Sequence, residues 1–139
     1  LSRSFKLPLI DISEEEVNIP SPKFDAKISI NARILKEALK DAGLFGSSVI
    51  LKAKGNVFSI EARGSQGVLK TVSKETPGVS VKADSEVLSK YSLNFLQNIV
   101  KEADNEQQVF LELKSDAPMR ASFKIGESTI EFYLAHMIL

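Results

Sequence analysis

The stretch DAKISINARILKEALKDAG, residues 25–43, changes from an alternating pattern to a helical one within a few residues. Residues 25–31 alternate apolar and polar side chains as a β-strand does. Asn31 then stands where a helix N-cap is expected, and Gly43 stands where the helix should end. The apolar side chains between them have the spacing of a helix that packs on a core, and they are Ile34, Leu35, Ala38, Leu39 and Ala42. The stretch therefore predicts a strand followed directly by an amphipathic helix.

A repeat of this order is visible downstream. Strands are predicted at 49–54, 57–63 and 68–73, separated by hairpin-type turns at Lys54-Gly55-Asn56 and Gly64–Gly67. The second pass has a strand at 79–84, a helix around 92–103, and strands at 109–114, 119–125 and 129–134. The sequence therefore predicts a β-α-β-β-β unit that occurs twice, with a period of about fifty residues.

The fold class predicted from this order is α+β, with two helices packed against one surface of antiparallel sheets. The second helix and the strand at 119–125 have apolar faces that are expected in the core. Those faces consist of Leu93, Leu96, Ile99, Val100 and Ala103 on the helix, and Met119, Ala121, Phe123 and Ile125 on the strand. Arg120, Ser122 and Lys124 are expected to point outward. An unrelated α+β domain would alternate in the same way, so periodicity alone leaves both folds open.

The composition of the 139-residue chain limits the functions it can have. Lys and Arg number 18, as do Asp and Glu, so the formal net charge is zero. A protein that holds nucleic acid tightly through its phosphates is usually basic, so tight DNA binding is not expected. The absence of Cys excludes disulfides and zinc–sulfur sites. The lack of Cys suits an intracellular protein. No apolar run approaches the roughly 20 residues of a membrane helix, so we expect no membrane partner.

Catalytic and metal-binding patterns are weak. The single histidine, His136, has no evident nucleophile partner, and no Gly-rich phosphate loop precedes a helix. Glu14–Glu16 are consecutive acids, which are usually solvated charge rather than metal ligands. We therefore expect no enzyme activity, no metal and no cofactor. A carboxylate-dependent hydrolase is an alternative that would require a pocket of convergent acids.

Four segments resemble parts of the proliferating cell nuclear antigen (PCNA) family of DNA sliding clamps. Residues 9–20, LIDISEEEVNIP, are similar to its interdomain connector. Residues 115–119, SDAPM, with 122–125, SFKI, look like its penultimate hairpin, and residues 132–135, FYLA, look like its final strand. The four segments have the family's order and spacing, with the doubled unit between them. The lack of Cys and the short loops favour an archaeal member.

The resemblance implies a DNA clamp fold and a division of the chain. Residues 1–23 would contain the last strand of an N-terminal domain that is otherwise missing, Leu1–Leu7, followed by the connector, Leu9–Pro22. Residues 24–139 would form the C-terminal clamp domain. Because the family works as a closed trimer of two-domain subunits around duplex DNA, the chain would be a segment of a polymerase processivity factor. Its location would be the cytoplasm if it is archaeal and the nucleus if it is eukaryotic.

Helices line the central hole in this family and present basic side chains to DNA phosphates. The resemblance therefore assigns a DNA-facing role to basic residues on or beside the predicted helices: Arg33, Lys36, Lys40, Lys90 and Lys101. Encirclement would retain the ring on DNA, so weak contacts would suffice. Since Glu37 and Asp41 interrupt the basic stripe, an ordinary solvated helix face is the competing interpretation.

The resemblance also implies a groove that binds short peptides of client enzymes. Its residues would be Val17, Ile19, Pro20, Phe24, Pro118, Tyr133, Leu134, Ala135 and His136. An exposed apolar patch of this kind can accept aromatic and aliphatic anchors. Tyr133 and Ile19 are favoured as contacts, whereas several of the others could equally be residues at the edge of the core. The chain departs from the family at His136, where proline is frequent, and at Met137–Leu139, where an acidic tail is frequent.

The strand after the Gly64–Gly67 turn is predicted to be a sheet edge. In the family this edge pairs with the next subunit, so the resemblance assigns an interface role to Gly67, Val68, Leu69, Lys70, Thr71, Val72 and Ser73. A plain edge protected by Lys70 and Lys74 is the alternative.

The partners implied by the resemblance are double-stranded DNA, other clamp subunits in a trimeric ring, DNA polymerase, flap endonuclease, DNA ligase and the clamp loader. A stand-alone nucleic-acid-binding module that uses the Lys36/Lys40 face is the alternative function. Such a module would bind short linear DNA measurably, whereas a clamp segment would bind it hardly at all.

Overall fold

The structure, a computed structural model, describes residues 3–8 and 23–139. Its elements are β1 (Arg3–Pro8), β2 (Ala26–Asn31), α1 (Ala32–Ala42), β3 (Ser48–Lys54), β4 (Val57–Gly64), β5 (Gly67–Lys74), β6 (Val79–Ala83), β7 (Val87–Ser92), α2 (Leu93–Val100), β8 (Gln108–Leu113), β9 (Met119–Ile125) and β10 (Ser128–Leu134). The α+β class is confirmed. The strands predicted on either side of the two helices are confirmed to within one or two residues at each end.

The strands form two sheets. One has six strands in the order β1-β10-β9-β8-β2-β6, and the other has four in the order β5-β4-β3-β7. Neighbouring strands are antiparallel, except that β1 pairs with β10 in parallel. The strand that leads into each helix pairs with the other repeat: β2 pairs with β8, and β7 pairs with β3. The two repeats are therefore interleaved around one core.

The start of the second repeat differs from the prediction. The strand predicted at 79–84 exists as β6, but it pairs with β2 and does not lead into α2. The strand that leads into α2 is β7, which the sequence pattern did not reveal. Its buried positions are Val87, Ser89 and Tyr91, with Leu88 on the other side. Because a serine is buried and a leucine points outward, the apolar alternation that marks a half-buried strand is lost.

Both helices begin at side-chain caps. The Asn31 carboxamide oxygen accepts hydrogen bonds from the backbone N–H groups of Arg33 and Ile34, and the Ser92 hydroxyl accepts one from the N–H of Phe95. Helix α1 is capped by Gly43 as expected, whereas α2 ends at Val100, short of the predicted Ala103. The helices pack against each other and contact strands of both sheets rather than one.

The predicted core is confirmed with two exceptions. The apolar faces of α1, α2 and β9 are buried, apart from Ile34 and Ile125, which are 37% and 44% exposed. Ile34 lies on the flank of α1 and packs over Gly78. A Cβ atom added to Gly78 would be only 3.1 Å from the Cδ1 atom of Ile34. Ile125 is the last residue of β9, next to the left-handed turn residue Gly126 (φ 63°). Each residue therefore sits at the margin of the apolar face to which it was assigned.

Candidate functional site

The polar side of the two helices brings together basic side chains from distant parts of the chain. A cleft of about 230 Å³ runs between α1 and α2 and is lined by Lys36, Leu39, Gln97, Val100 and Lys101. The Gln97 Nε2 group donates to the Leu39 carbonyl across it, at 3.3 Å. Arg33 and Lys40 lie on α1 on either side of Lys36, so four of the five expected DNA-facing residues belong to this helix surface.

Two of these four cations are already bound within the protein. The Arg33 guanidinium forms an ion pair with Glu106, just after α2. The Lys36 ammonium donates to the Ala103 carbonyl and, at 2.7 Å, to the Asn105 side-chain oxygen. Both contacts join α1 to the loop between α2 and β8, so they stabilise the position of the two helices.

Lys40 and Lys101 are different. Both are exposed, and neither makes an ion pair or side-chain hydrogen bond with any described residue. On this surface they are therefore the two cations that remain available to a negatively charged partner.

Lys90 lies apart from the other four. It is in β7, opposite Ile50 of β3, and its neighbours Ser89 and Tyr91 point into the core. Because side chains alternate across a strand, Lys90 points away from the core, on the outer face of the four-stranded sheet. The structure does not bring it to the helix surface.

The second candidate site, the groove predicted for client peptides, has Arg120 at its centre. Residue Arg120 lies opposite Glu112 on β8 and opposite Tyr133 on β10. Its Nε donates to Glu112 Oε1 at 2.9 Å, and its guanidinium carbon lies 5.3 Å from the centre of the Phe24 ring. Arg120 thus brings Phe24 and Tyr133, two of the predicted groove residues, into one cluster. The sequence pattern had predicted only that Arg120 points outward.

Arg120 remains charged in this environment. Its partial burial lowers the pKa of the guanidinium, but hydrogen bonds to Glu112 and Tyr133 and attraction to both raise it, so that the pKa lies above its ordinary value. A fixed guanidinium next to an aromatic ring can orient that ring and can bind a peptide carbonyl or carboxylate. A cavity of about 440 Å³ opens beside this cluster, lined by Lys23, Phe24, Asp25, Lys27, Lys82, Asp84, Glu112 and Arg120.

The remaining groove residues have different exposures. Tyr133 is only 5% exposed, and Leu134 is in the core opposite Met119. Pro118 is exposed, and Ala135 is half-buried. Val17, Ile19 and Pro20 lie outside the described residues. The structure therefore offers Phe24, Pro118 and Ala135 as accessible apolar positions, with Tyr133 as a supporting side chain.

The loop before β9 is tied to β7 by a buried tyrosine. The Tyr91 hydroxyl donates to the Ala117 carbonyl at 2.6 Å. The pKa of Tyr91 is raised to about 12, mainly because the side chain is buried; a hydrogen bond with Ser89 opposes this rise and the charge of Asp116 adds to it. Asp116 itself has a φ of 50°, a left-handed conformation that is uncommon outside glycine. These contacts fix the backbone at Pro118.

The chain end after β10 is fixed against the same region. The Met137 N–H donates to the Lys90 carbonyl at 2.7 Å, and His136 Nε2 lies 3.8 Å from Asp116 Oδ1. His136 Nδ1 is buried and has no hydrogen-bond partner among the described residues. The segment that departs from the family is therefore docked on β7, with Ile138 left 88% exposed.

The predicted sheet edge is also present. Strand β5 pairs with β4 along its length and has no partner among the described strands on its other side. The exposed side chains Val68, Lys70, Val72 and Lys74 alternate with half-buried ones. The backbone of β5 can therefore accept a further strand.

The described part of the chain contains neither a cluster of metal ligands nor a membrane-spanning helix. No group of three or more His, Asp or Glu side chains there could hold a metal ion. None of the helices described is long and apolar enough to cross a membrane.

DNA polymerase sliding clamps of two archaea are similar to this chain over almost its whole length. The DNA polymerase sliding clamp of Pyrococcus abyssi is 35% identical over 137 residues, which cover 96% of this chain and 55% of that protein. The corresponding protein of Pyrococcus horikoshii is 34% identical over the same lengths. This chain thus spans about half the length of the curated relatives it matches.

Solved structures show the same fold. The crystal structure of PCNA from Thermococcus kodakaraensis superimposes with a TM-score of 0.81 at 24% identity, covering 92% of this chain and 54% of that one. PCNA from Entamoeba histolytica gives 0.79 at 23% identity, covering 93% and 52%. The family model for the proliferating cell nuclear antigen C-terminal domain matches residues 18–138. The chain therefore belongs to the proliferating cell nuclear antigen family.

Proposed function

We propose that this chain is a segment of a DNA sliding clamp, a non-catalytic ring that keeps a DNA polymerase on its template. Residues 24–139 form the C-terminal clamp domain, and residues 1–23 contain the end of an N-terminal domain and the connector. The observation that carries the proposal is the match of residues 18–138 to the C-terminal domain of the family. Because a sliding clamp acts on DNA, the proposed function implies an intracellular location.

The helix surface faces DNA in this proposal. Lys40 and Lys101 supply the phosphate contacts, whereas Arg33 and Lys36 act mainly by holding α1 to the loop after α2. So few exposed cations support only weak and salt-sensitive binding, with a Kd of roughly 10⁻⁴ to 10⁻⁶ M for non-specific association. A closed ring does not require tighter binding, since its topology retains it, and weak contacts allow it to slide.

Ring closure uses the edge of β5. This edge, Gly67–Ser73, accepts a strand of the neighbouring subunit, so that three subunits form a ring with continuous sheets. The support for this role is the edge of β5, which pairs with none of the described strands, and its alternating exposed side chains. The lysines oppose unspecific strand pairing.

Client enzymes bind at the groove around Phe24, Pro118, Tyr133, Ala135 and His136, together with the connector residues Val17, Ile19 and Pro20. The clients are DNA polymerase, flap endonuclease, DNA ligase and the clamp loader, each through a short peptide with apolar anchors. Arg120 supports the groove because it holds the Phe24 ring and is itself held by Glu112.

The test is a polymerase assay with the full-length clamp that contains this segment. On primed circular DNA with a clamp loader, we expect longer products in its presence. Linearising the DNA should release the clamp and abolish the effect, because a ring slides off a free end. Equal stimulation on short linear DNA, with measurable binding to it, would contradict the proposal and favour a stand-alone DNA-binding module.

A further inference from the structure

The outer face of the four-stranded sheet concentrates positive charge in a chain with no net charge. Side chains on this face follow from the strand registers and from the buried positions of β3, β4 and β7. We call it the basic sheet face, and its cations are Lys52, Lys54, Arg63, Lys70, Lys74 and Lys90. Carboxylates are few: Glu61 lies on the face, and Glu86 lies beside it.

These carboxylates leave half of the cations unpaired. Glu61 pairs with Arg63 at 3.2 Å, and Glu86 is shared by Lys52 and Lys54 at 3.7 Å each. Lys70, Lys74 and Lys90 make no ion pair with a described residue. An anionic partner would therefore meet several cations that form no ion pair with a carboxylate in the described part of the chain.

Protection of the β5 edge against unwanted strand pairing explains only part of the positive charge of the basic sheet face. Lysines on β5 are expected, because exposed edge strands commonly use lysine to prevent unwanted pairing. Strand β3, however, lies between β4 and β7 and has no free edge to protect. Its outward residues nevertheless include Lys52 and Lys54. The charge extends across the sheet and is a property of the face.

The face also has an apolar component. A depression of about 240 Å³ is lined by Lys52, Lys54, Val57, Ser59, Lys70 and Val72. Outward residues between the cations include the aliphatic side chains Ile50, Val57, Val68, Val72 and Leu88. On the described strands of this sheet, the aromatic residues Phe58 and Tyr91 are buried on the opposite side. Single-stranded nucleic acid is usually bound by aromatic stacking platforms, which this face does not present.

We propose that the basic sheet face binds an extended acidic peptide of a partner protein, in which acidic residues alternate with aliphatic ones. Lys70 and Lys74, which form no ion pair with a described residue, are four residues apart on one side of β5, a spacing of about 13.6 Å, and Lys52 and Lys54 are two residues apart on β3, about 6.8 Å. Carboxylates at every second position of an extended peptide have the same spacing. Aliphatic side chains of the peptide enter the depression at Val57 and Val72. This partner is distinct from the clients of the groove around Phe24 and Tyr133.

In the ring proposed above, strand pairing between subunits does not use the basic sheet face. Pairing at the β5 edge uses backbone groups in the plane of the sheet, whereas the cations project from its surface. Peptide binding there therefore does not compete with strand pairing between subunits.

The test measures binding of a fluorescent peptide in which three glutamates alternate with valine and leucine. The variant carries Lys52→Gln and Lys70→Gln, and the matched control carries Lys27→Gln and Lys82→Gln, the same charge change on the other sheet. We expect the first pair to weaken binding about five- to tenfold at low salt and the control to change it less than twofold. Val72→Ser should weaken this peptide but leave binding of a polyglutamate peptide unchanged.

Three outcomes overturn the proposal. No detectable peptide binding at low salt would remove it directly. Equal loss in both double variants would mean unspecific attraction to total charge. Tighter binding of a thymidine oligonucleotide of equal charge, lost in the Lys52/Lys70 variant, would assign the face to nucleic acid. Circular dichroism on each variant shows whether the fold is retained, and all the substituted lysines are at least partly exposed.

Discussion

Replacement of Arg120 by methionine should destabilise the domain by about 2–3 kcal/mol. The guanidinium makes two hydrogen bonds to one oxygen of Glu112, and the two side chains are only 24% and 16% exposed. Hydrogen bonds to charged groups contribute roughly 1.5–3 kcal/mol when little water competes, and partial exposure reduces the sum of two. Methionine keeps an apolar stem against Phe24, so the loss reports mainly the polar contacts.

Urea denaturation measures this loss. With a slope of about 2 kcal/mol per M, the midpoint should fall by about 1–1.5 M. Lys124→Met is the matched control, since Lys124 is on the same side of β9 but exposed, and its midpoint should move by less than about 0.3 M. In a double-mutant cycle with Glu112→Met, the coupling energy should be about 1–2 kcal/mol. A coupling near zero would refute the view that the Arg120–Glu112 pair holds the groove together.

Three further outcomes follow from the same contacts. In the full-length clamp, the double change Lys40→Glu with Lys101→Glu should reduce polymerase stimulation several-fold without loss of stability. The control, Lys114→Glu with Lys124→Glu, makes the same charge change elsewhere and should not reduce stimulation. Equal stimulation by the two variants would mean that the helix surface does not face DNA. Phe24→Ala should weaken a client peptide about ten- to a hundredfold in calorimetry, because burial of one aromatic anchor is worth roughly 1.5–3 kcal/mol, and Lys74→Ala should have no effect. Since the pKa of Tyr91 is raised to about 12 from 10.0, its contribution to stability is complete below pH 10 and is lost as the pH rises to 12. Tyr91→Phe should remove that alkaline loss; an unchanged pH profile would refute the assignment.

The sequence predicted best what is determined locally. The N-cap at Asn31 and the alternation of β9 depend on residues that are neighbours along the chain or two positions apart. Strand β7 was missed because Ser89 is buried in it and Leu88 is not, which hides the alternation. A buried serine is tolerated there because its hydroxyl faces the Ala117 carbonyl, a partner that no reading of β7 alone can supply.

The candidate site was predicted in part for the same reason. Phe24 and Tyr133 were assigned to one groove by resemblance, but the residue that links them, Arg120, depends on the register of β8, β9 and β10. On the helix surface, all basic residues of α1 looked equivalent in sequence. The bond from Lys36 to Asn105 connects residues far apart in the chain, so only the folded structure distinguishes Lys36 from Lys40.

The interleaving of the two repeats has a consequence for folding. Neither repeat can complete a sheet by itself, because strands of different repeats pair with each other. Ile28 on β2 pairs with Leu111 on β8, and Leu51 on β3 pairs with Ser89 on β7. Contacts between such distant residues form only after long loops have closed, and the entropy cost of closure comes before the contacts stabilise the fold. Folding is therefore expected in the millisecond-to-second range seen for proteins rich in non-local pairing. The same dependence makes unfolding all-or-none across both repeats. Two pieces cut in the loop at Thr76 should thus be unfolded alone and should recover the native sheets only when mixed.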